Sequence, residues 1–288
     1  MHKRLTIAVT GLDATDHPGP GVSVIRALRH AKLDARIVGL CHDALEAGIY
    51  ARDLCDDVFL VPRPSEGSDP LASRLAQIHL NVALDIIIPT LDHELPLYVE
   101  LEERLGELGV GMFLPTRAQL AACASAEALG SQARQEVCVV AVGDGRGGCI
   151  GSVPMKRTFV SEDGAGWAGI TIRDHQLDAL TDAFMAETRW RGPCEIVLVR
   201  DEETGYRVTA IHPRFPSWVY LAAGAGTNLP LALVYLAAGG PTPVMGTYRV
   251  GTMFVRTAVD QIADLETVCA ISMEGELHRD IDRKREVA

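Results

Sequence analysis

The sequence predicts an α/β protein: a helix-covered parallel sheet in the first part and an α+β arrangement in the second. Three observations carry this. As far as Pro115, short apolar runs alternate with stretches of helical spacing, as βα units require. One run, Asp85–Pro89, holds three consecutive isoleucines, the pattern of a strand buried on both faces of a parallel sheet. Beyond Pro115 the apolar runs come in adjacent pairs joined by short glycine-containing turns, as antiparallel hairpins do.

The elements follow in order. Leu5–Thr10 reads as a strand, Gly11–Gly21 as a glycine- and proline-rich loop, and Val22–His30 as a helix. Ala35–Leu40 and Asp57–Val61 are strands, the latter closed by Pro62 and Pro64. Pro70–Ala83 has helical spacing with proline near its start. After the isoleucine strand come the amphipathic helix Leu97–Leu108 and a further strand, Val110–Leu114. In the second part, Glu136–Val142 and Cys149–Phe159 are strands joined by the Gly143–Gly148 hairpin, and Trp167–Ile172 is another strand. His175–Arg189 is a helix, and Cys194–Arg200 pairs with Tyr206–Ile211 across Asp201–Gly205. Ser217–Ala238 is helical with a break at Gly224–Thr227, and Thr247–Ala258 returns to strand. The tail from His278 is charged and reads as frayed.

Composition narrows the function. A formal net charge of −11 argues against a nucleic-acid or anionic-membrane surface. The most apolar stretch, Leu229–Ala238, is half the length of a bilayer span and ends at Gly239-Gly240-Pro241. The N-terminus leads from a short apolar run into a turn, unlike a signal peptide. Seven cysteines without a C-x-x-C pair suit reduced, buried thiols, so the expected location is cytoplasmic and no structural zinc site is expected.

Three segments then line up with a family. They are Gly19-Pro-Gly21 running into Val24–Arg29; Asp85-Ile-Ile-Ile-Pro-Thr-Leu-Asp92-His-Glu94; and Tyr206–Phe215 followed by Ala222-Ala-Gly224-Ala-Gly-Thr-Asn228-Leu-Pro-Leu. In order and position these resemble the ATP-grasp superfamily, in its carbamoyl-phosphate-synthetase-like branch. The resemblance implies a Rossmann-like pre-ATP-grasp domain over 1–115, an ATP-grasp core over 116–277 and a charged tail over 278–288. It also implies a reaction class: a carboxylate is activated as an acyl phosphate and coupled to an amine or thiol. Lysines and Mg²⁺ neutralise the triphosphate, and an arginine steadies the phosphoryl group and the carboxylate.

The departures from the family are specific. The only lysines are Lys3, Lys32, Lys156 and Lys284, so none falls where the family holds phosphates, and Arg134 is the nearest substitute. Ala121–Gly130 runs almost directly into the strand at Val137, so the ATP-binding lid subdomain is expected to be missing. The metal-binding E-x-N-P-R of the family reads Ala210-Ile-His212-Pro-Arg214, and the neighbouring strand offers Glu195. What survives is the substrate side. Arg214 is in place, and Lys156-Arg157 follows Pro154 as in the family's basic strand. Asp92 and Glu94 sit at the carboxyl end of a parallel strand, where open α/β sheets place ligand-binding groups.

The expected substrate-binding residues are therefore Asp92, Glu94, Lys156, Arg157, His212 and Arg214, with Arg214 directed toward Lys156 or Arg157 so that the cations converge on an anion. No metal is expected. Asp92 reads either as a pocket-edge group or as a helix N-cap, and His212 either as a general base or as a structural hydrogen-bonding group. Gly19-Pro-Gly21 is either a ligand-cradling or an ordinary turn. The apolar stretch Leu229–Leu236 suits a buried helix or a subunit interface.

The expected function is that of a degenerate homologue without ATP turnover or cofactor. It would bind an anionic small molecule, or a peptide or carrier carboxylate, in a biosynthetic pathway, as a homodimer or hetero-complex. The alternatives are an ATP- and Mg²⁺-dependent carboxylate–amine ligase with a minimal or partner-supplied lid, and a structural subunit of a larger enzyme.

Overall fold

The computed structural model describes residues 4–14, 18–126, 136–160, 166–201, 205–241 and 244–279. The first elements are β1 (Leu5–Val9), α1 (Pro20–His30), β2 (Ala35–Cys41), α2 (Ala47–Tyr50), β3 (Asp57–Leu60), α3 (Ser68–Val82), β4 (Ile86–Ile88) and α4 (Leu95–Glu107). Then come α5 (Arg117–Ala126), β5 (Glu136–Asp144), β6 (Cys149–Val160), β7 (Gly166–Thr171), α6 (His175–Thr188), β8 (Arg191–Asp201) and β9 (Gly205–His212). The last elements are α7 (Tyr220–Ala225), α8 (Leu229–Ala237), β10 (Met253–Val255), α9 (Leu265–Glu274) and β11 (Glu276–His278). Two compact units result: residues up to Met112 together with those from Val259 onward, and Phe113–Ala258.

The first unit holds a five-stranded sheet in the order β11-β3-β2-β1-β4, parallel except for β11. Its strands are buried on both faces: Ile7, Ile37, Val38, Val58, Ile86 and Ile87 are all essentially inaccessible, which is why they read as continuous apolar runs rather than alternating ones. The stretch expected to continue as strand Val110–Leu114 contributes only a single bridge, between Gly111 and Ile86.

The C-terminal segment differs most from expectation. His278 closes β11, residues from Val259 group with the first unit, and the remainder of the expected tail, 280–288, lies outside the described residues. Polar anchors explain this. Asp57, buried on β3, takes a bidentate pair from Arg36 at 2.5 and 2.8 Å and lies 2.8 Å from His278 Nδ1. Arg74 donates to Leu60 O and Gly275 O, both at 2.9 Å. Arg279 donates to the carbonyls of Ile49 and Cys55, capping backbone that would otherwise lack a donor.

The second unit is a six-stranded antiparallel sheet in the order β10-β7-β6-β5-β8-β9. One face packs Val137, Val139, Ala141, Cys194, Ile196 and Leu198 against Leu177 and Met185 of α6 and Trp190. Helix α8 buries Leu229, Ala232, Leu233 and Val234 within the unit, while Tyr235 is 38% exposed. Of the expected strand Thr247–Ala258 only β10 is formed. All seven cysteines are free thiols; burial pushes Cys41 and Cys194 well up, and Cys149 to about 11.

Glycine is required where α1 begins. A Cβ on Gly21 would stand 1.8 Å from the Thr10 carbonyl oxygen, a backbone atom. Gly21→Ala is expected to destabilise the protein by about 2–3 kcal/mol in denaturant titrations. Gly106→Ala, in α4 with nothing within 4 Å, is expected to be neutral or to stabilise by up to about 1 kcal/mol.

Candidate functional site

In the first sheet the chain runs from β1 outward to β2 and β3, then returns to place β4 on the other side of β1. The direction of winding reverses between β1 and β4, and open α/β sheets bind ligands at the carboxyl ends of such a pair. Thr10 and Thr90 lie just beyond those ends, and Glu94 lies at the start of α4.

The three side chains form one network. Glu94, fully buried, accepts at Oε1 from the Thr10 hydroxyl, from Thr90 N at 2.8 Å and from Leu91 N at 2.9 Å. Thr90 N also reaches Thr10 Oγ1 at 2.8 Å, and Thr90 Oγ1 donates to Thr10 O at 2.9 Å. A carboxylate buried without donors would be strongly disfavoured; two backbone amides and a hydroxyl offset that cost. Glu94 occupies the N-cap position of α4, yet its side chain reaches backward to Thr90 and Leu91 rather than into the helix. The cap position expected for Asp92 is thus held by Glu94. Asp92 is half-buried and His93 exposed in the turn preceding the helix.

His42, just beyond β2, completes the cluster. Its Nε2 is 3.4 Å from Glu94 Oε2 and its Nδ1 is 3.1 Å from Pro62 O. Both ring nitrogens face acceptors, an arrangement that suits the imidazolium. Burial works against that charge. The hydrogen bond and charge of Glu94, with the charge of Glu46, outweigh it and raise the His42 pKa. Burial also raises the pKa of Glu46, which accepts from His42 N at 2.6 Å. His42, Glu46, Thr10 and Thr90 were not singled out from the sequence. The available signal was a polar residue directly after each apolar parallel strand.

In the second unit the alternation of side chains sorts the cations. Lys156 pairs with Val137, and Val137 belongs to the face under α6. Arg157 points to the opposite face, as does Glu195, which pairs with His212. The expected convergence of Lys156 and Arg157 therefore does not occur: neighbours on one strand cannot share a face. Arg157 and His212 remain on the same face, with Glu195 between them in strand order. Arg214, half-buried just past β9, donates from Nη1 to Phe215 O at 3.2 Å. Glu195, buried, accepts from Trp218 Nε1 at 2.6 Å. Among the described residues, no group of three or more His, Cys, Asp or Glu side chains is placed to hold a metal, and no helix is long and apolar enough to cross a membrane.

Two outcomes follow. His42 has a folded-state pKa above its unfolded value, so its stabilisation is complete below about pH 6.5 and is lost as pH rises through the folded value. Glu46, also raised, acts in the same sense from its own lower range upward. Stability measured by urea unfolding is expected to fall between pH 6 and pH 8, and His42→Gln to flatten that dependence while lowering stability by about 1–3 kcal/mol at pH 6. Trp218→Phe removes the donor to buried Glu195 and is expected to cost about 1–3 kcal/mol, with little change for Trp218→Phe combined with Glu195→Gln relative to Trp218→Phe alone.

Comparisons with known proteins place this geometry in a fold. No protein-family profile matches the chain, and no curated protein sequence matches it. Solved structures do. The biotin carboxylase domain of a single-chain bacterial carboxylase superposes with a TM-score of 0.60 at 12% identity, over 86% of this chain and 71% of that one. A pyruvate carboxylase of Rhizobium etli gives 0.59 at 14% identity over 87% of this chain, and the urea carboxylase of Kluyveromyces lactis 0.59 at 12% over 86%. The chain spans only 28% and 23% of the length of those two enzymes. At these identities the likeness is one of architecture: the chain has the fold of biotin carboxylase domains.

Proposed function

We propose that this chain is an ATP-grasp-fold protein of biosynthetic carboxylate chemistry that binds an anionic small molecule, or the carboxylate of a peptide or carrier, and does not by itself turn over ATP. One observation carries the reading. Only residues 127–135 separate the end of α5 from the start of β5. A connection of that length reaches about 30–35 Å when fully extended and is too short to contain a sheet-bearing lid. The position of the family's metal-binding carboxylate is Ala210, and the nearby Glu195 is engaged by Trp218. Arg214, with Arg157 and His212 on the sheet, is the cationic set proposed to meet the anion; Lys156 is left out because it points to the other face. Asp92 and Glu94 are proposed as architectural, since Glu94 Oε1 accepts from three internal donors. Assembly as a homodimer or hetero-complex belongs to the same proposal.

A second reading is a working ATP- and Mg²⁺-dependent carboxylate–amine ligase whose lid comes from a partner. The likeness to carboxylase domains over 86–87% of the chain favours it. Calorimetry with Mg-ATP separates the two. No micromolar binding is expected for the isolated chain, and a magnesium-dependent micromolar Kd would establish the second reading instead. With citrate and inorganic phosphate as probes, Arg214→Ala is expected to weaken binding about tenfold or more while leaving Tm unchanged, as loss of a charge-assisted hydrogen bond worth about 1.5–3 kcal/mol requires. Unchanged affinity, or a large fall in Tm, would assign Arg214 to structure.

A further inference from the structure

Helix α9 presents apolar side chains to solvent. Leu265, Cys269 and Met273 recur every fourth residue and so form one row along the helix. Leu265 is 77% and Met273 84% exposed, and Cys269 is an exposed free thiol. Ile271, on the opposite side of α9, is fully buried. The segment that leads into the helix adds two more uncovered apolar residues, Val259 and Ile262. A surface helix ordinarily turns polar residues outward, and an uncovered apolar patch marks a contact surface.

The charge around this row is of one sign. Residues 259–276 contain Asp260, Asp264, Glu266, Glu274 and Glu276, and no lysine, arginine or histidine. Two of these carboxylates are in use. Asp264 caps α9 by accepting from Thr267 N at 2.7 Å, and Glu276 lies 3.8 Å from His278 Nε2. Asp260, Glu266 and Glu274 are exposed, and their carboxylates have no hydrogen bond or ion pair among the described residues. Glu266 follows Leu265 and Glu274 follows Met273, so uncompensated charge flanks both ends of the apolar row.

We propose that the outer face of α9 docks a basic amphipathic helix of a partner protein. The partner's apolar stripe covers Leu265, Cys269 and Met273, and the lysines or arginines beside that stripe meet Asp260, Glu266 and Glu274. Two features select this occupant. The unpaired carboxylates favour cations, and the apolar row favours an apolar stripe over a small soluble cation. A second copy of the same face does not serve: in either orientation it sets carboxylates against carboxylates, because 259–276 holds no cation. This surface is separate from the anion site proposed around Arg214, and the inference does not depend on that reading.

Fluorescence anisotropy on the full chain tests this. The probe is a dye-labelled model helix with a leucine stripe flanked by lysines, and the control has glutamate at every lysine. The lysine helix is expected to bind saturably, more weakly as salt rises, and more tightly than the control by about tenfold or more. Met273→Lys, and Leu265→Lys as a second variant at an exposed position, are each expected to weaken it about tenfold or more at nearly unchanged Tm. Glu103→Lys, a larger change of charge at an exposed position of α4, is expected to leave affinity within about twofold, which separates docking on α9 from attraction to the chain's net charge. Equal binding of both helices, no binding of either, full binding by folded Met273→Lys and Leu265→Lys proteins, or equal weakening by Glu103→Lys would overturn the proposal. Binding that appears only in a chain ending at Arg279 would also overturn it, by giving the face to the chain's own Arg283-Lys284-Arg285, which lie outside the described residues. A dimer in light scattering that Met273→Lys dissociates would overturn it in favour of a second copy.

Discussion

The carboxylate of Glu94 is the group on which the first unit depends. It lies at the point where the winding of the parallel sheet reverses and draws together three separate stretches of chain: Thr10 after β1, Thr90 and Leu91 after β4, and His42 after β2. A carboxylate without solvent access is tolerable only when its lone pairs are occupied, so the loops that supply the donors are held as firmly as the strands they leave. Three donors converge on Glu94 Oε1, and Oε2 faces the His42 ring at 3.4 Å.

A similar logic operates at the other edge of that sheet. Asp57 and Asp56 are buried beside one another, and each is matched by arginine: Arg36 on Asp57, Arg29 on Asp56 at 3.0 Å. His278, Arg74 and Arg279 then fasten the returning C-terminal segment through carboxylate and carbonyl acceptors. These contacts explain why a short antiparallel strand from the far end of the sequence completes a parallel sheet. Local propensity contributes little to a three-residue strand; its partners define it.

In the second unit, strand alternation decides the chemistry. Because successive residues face opposite ways, the adjacent basic pair Lys156-Arg157 is divided between a helix-covered face and the face shared with His212 and Glu195. The Trp218 indole donates to the buried Glu195 carboxylate at 2.6 Å. The architecture seen in carboxylase domains is present around this arrangement.

Much was legible in the sequence. Apolar runs, helical spacing and turn residues located β1 to β4, α1, α3 and α4, the β5–β6 and β8–β9 hairpins, and the break between α7 and α8, because each is set by side chains close together in the chain. The sequence also determined the short link before β5 and the absence of lysine between Lys32 and Lys156, which are matters of count rather than of packing. Tertiary structure alone decided the rest. That β11 pairs with β3, that Glu94 meets Thr10 and His42, and that Glu195 is held by Trp218 depend on residues from 23 to more than 200 positions apart, whose proximity no local pattern encodes. The division of Lys156 from Arg157 required only the strand period, but which face lies under α6 was fixed by the packing of the whole sheet.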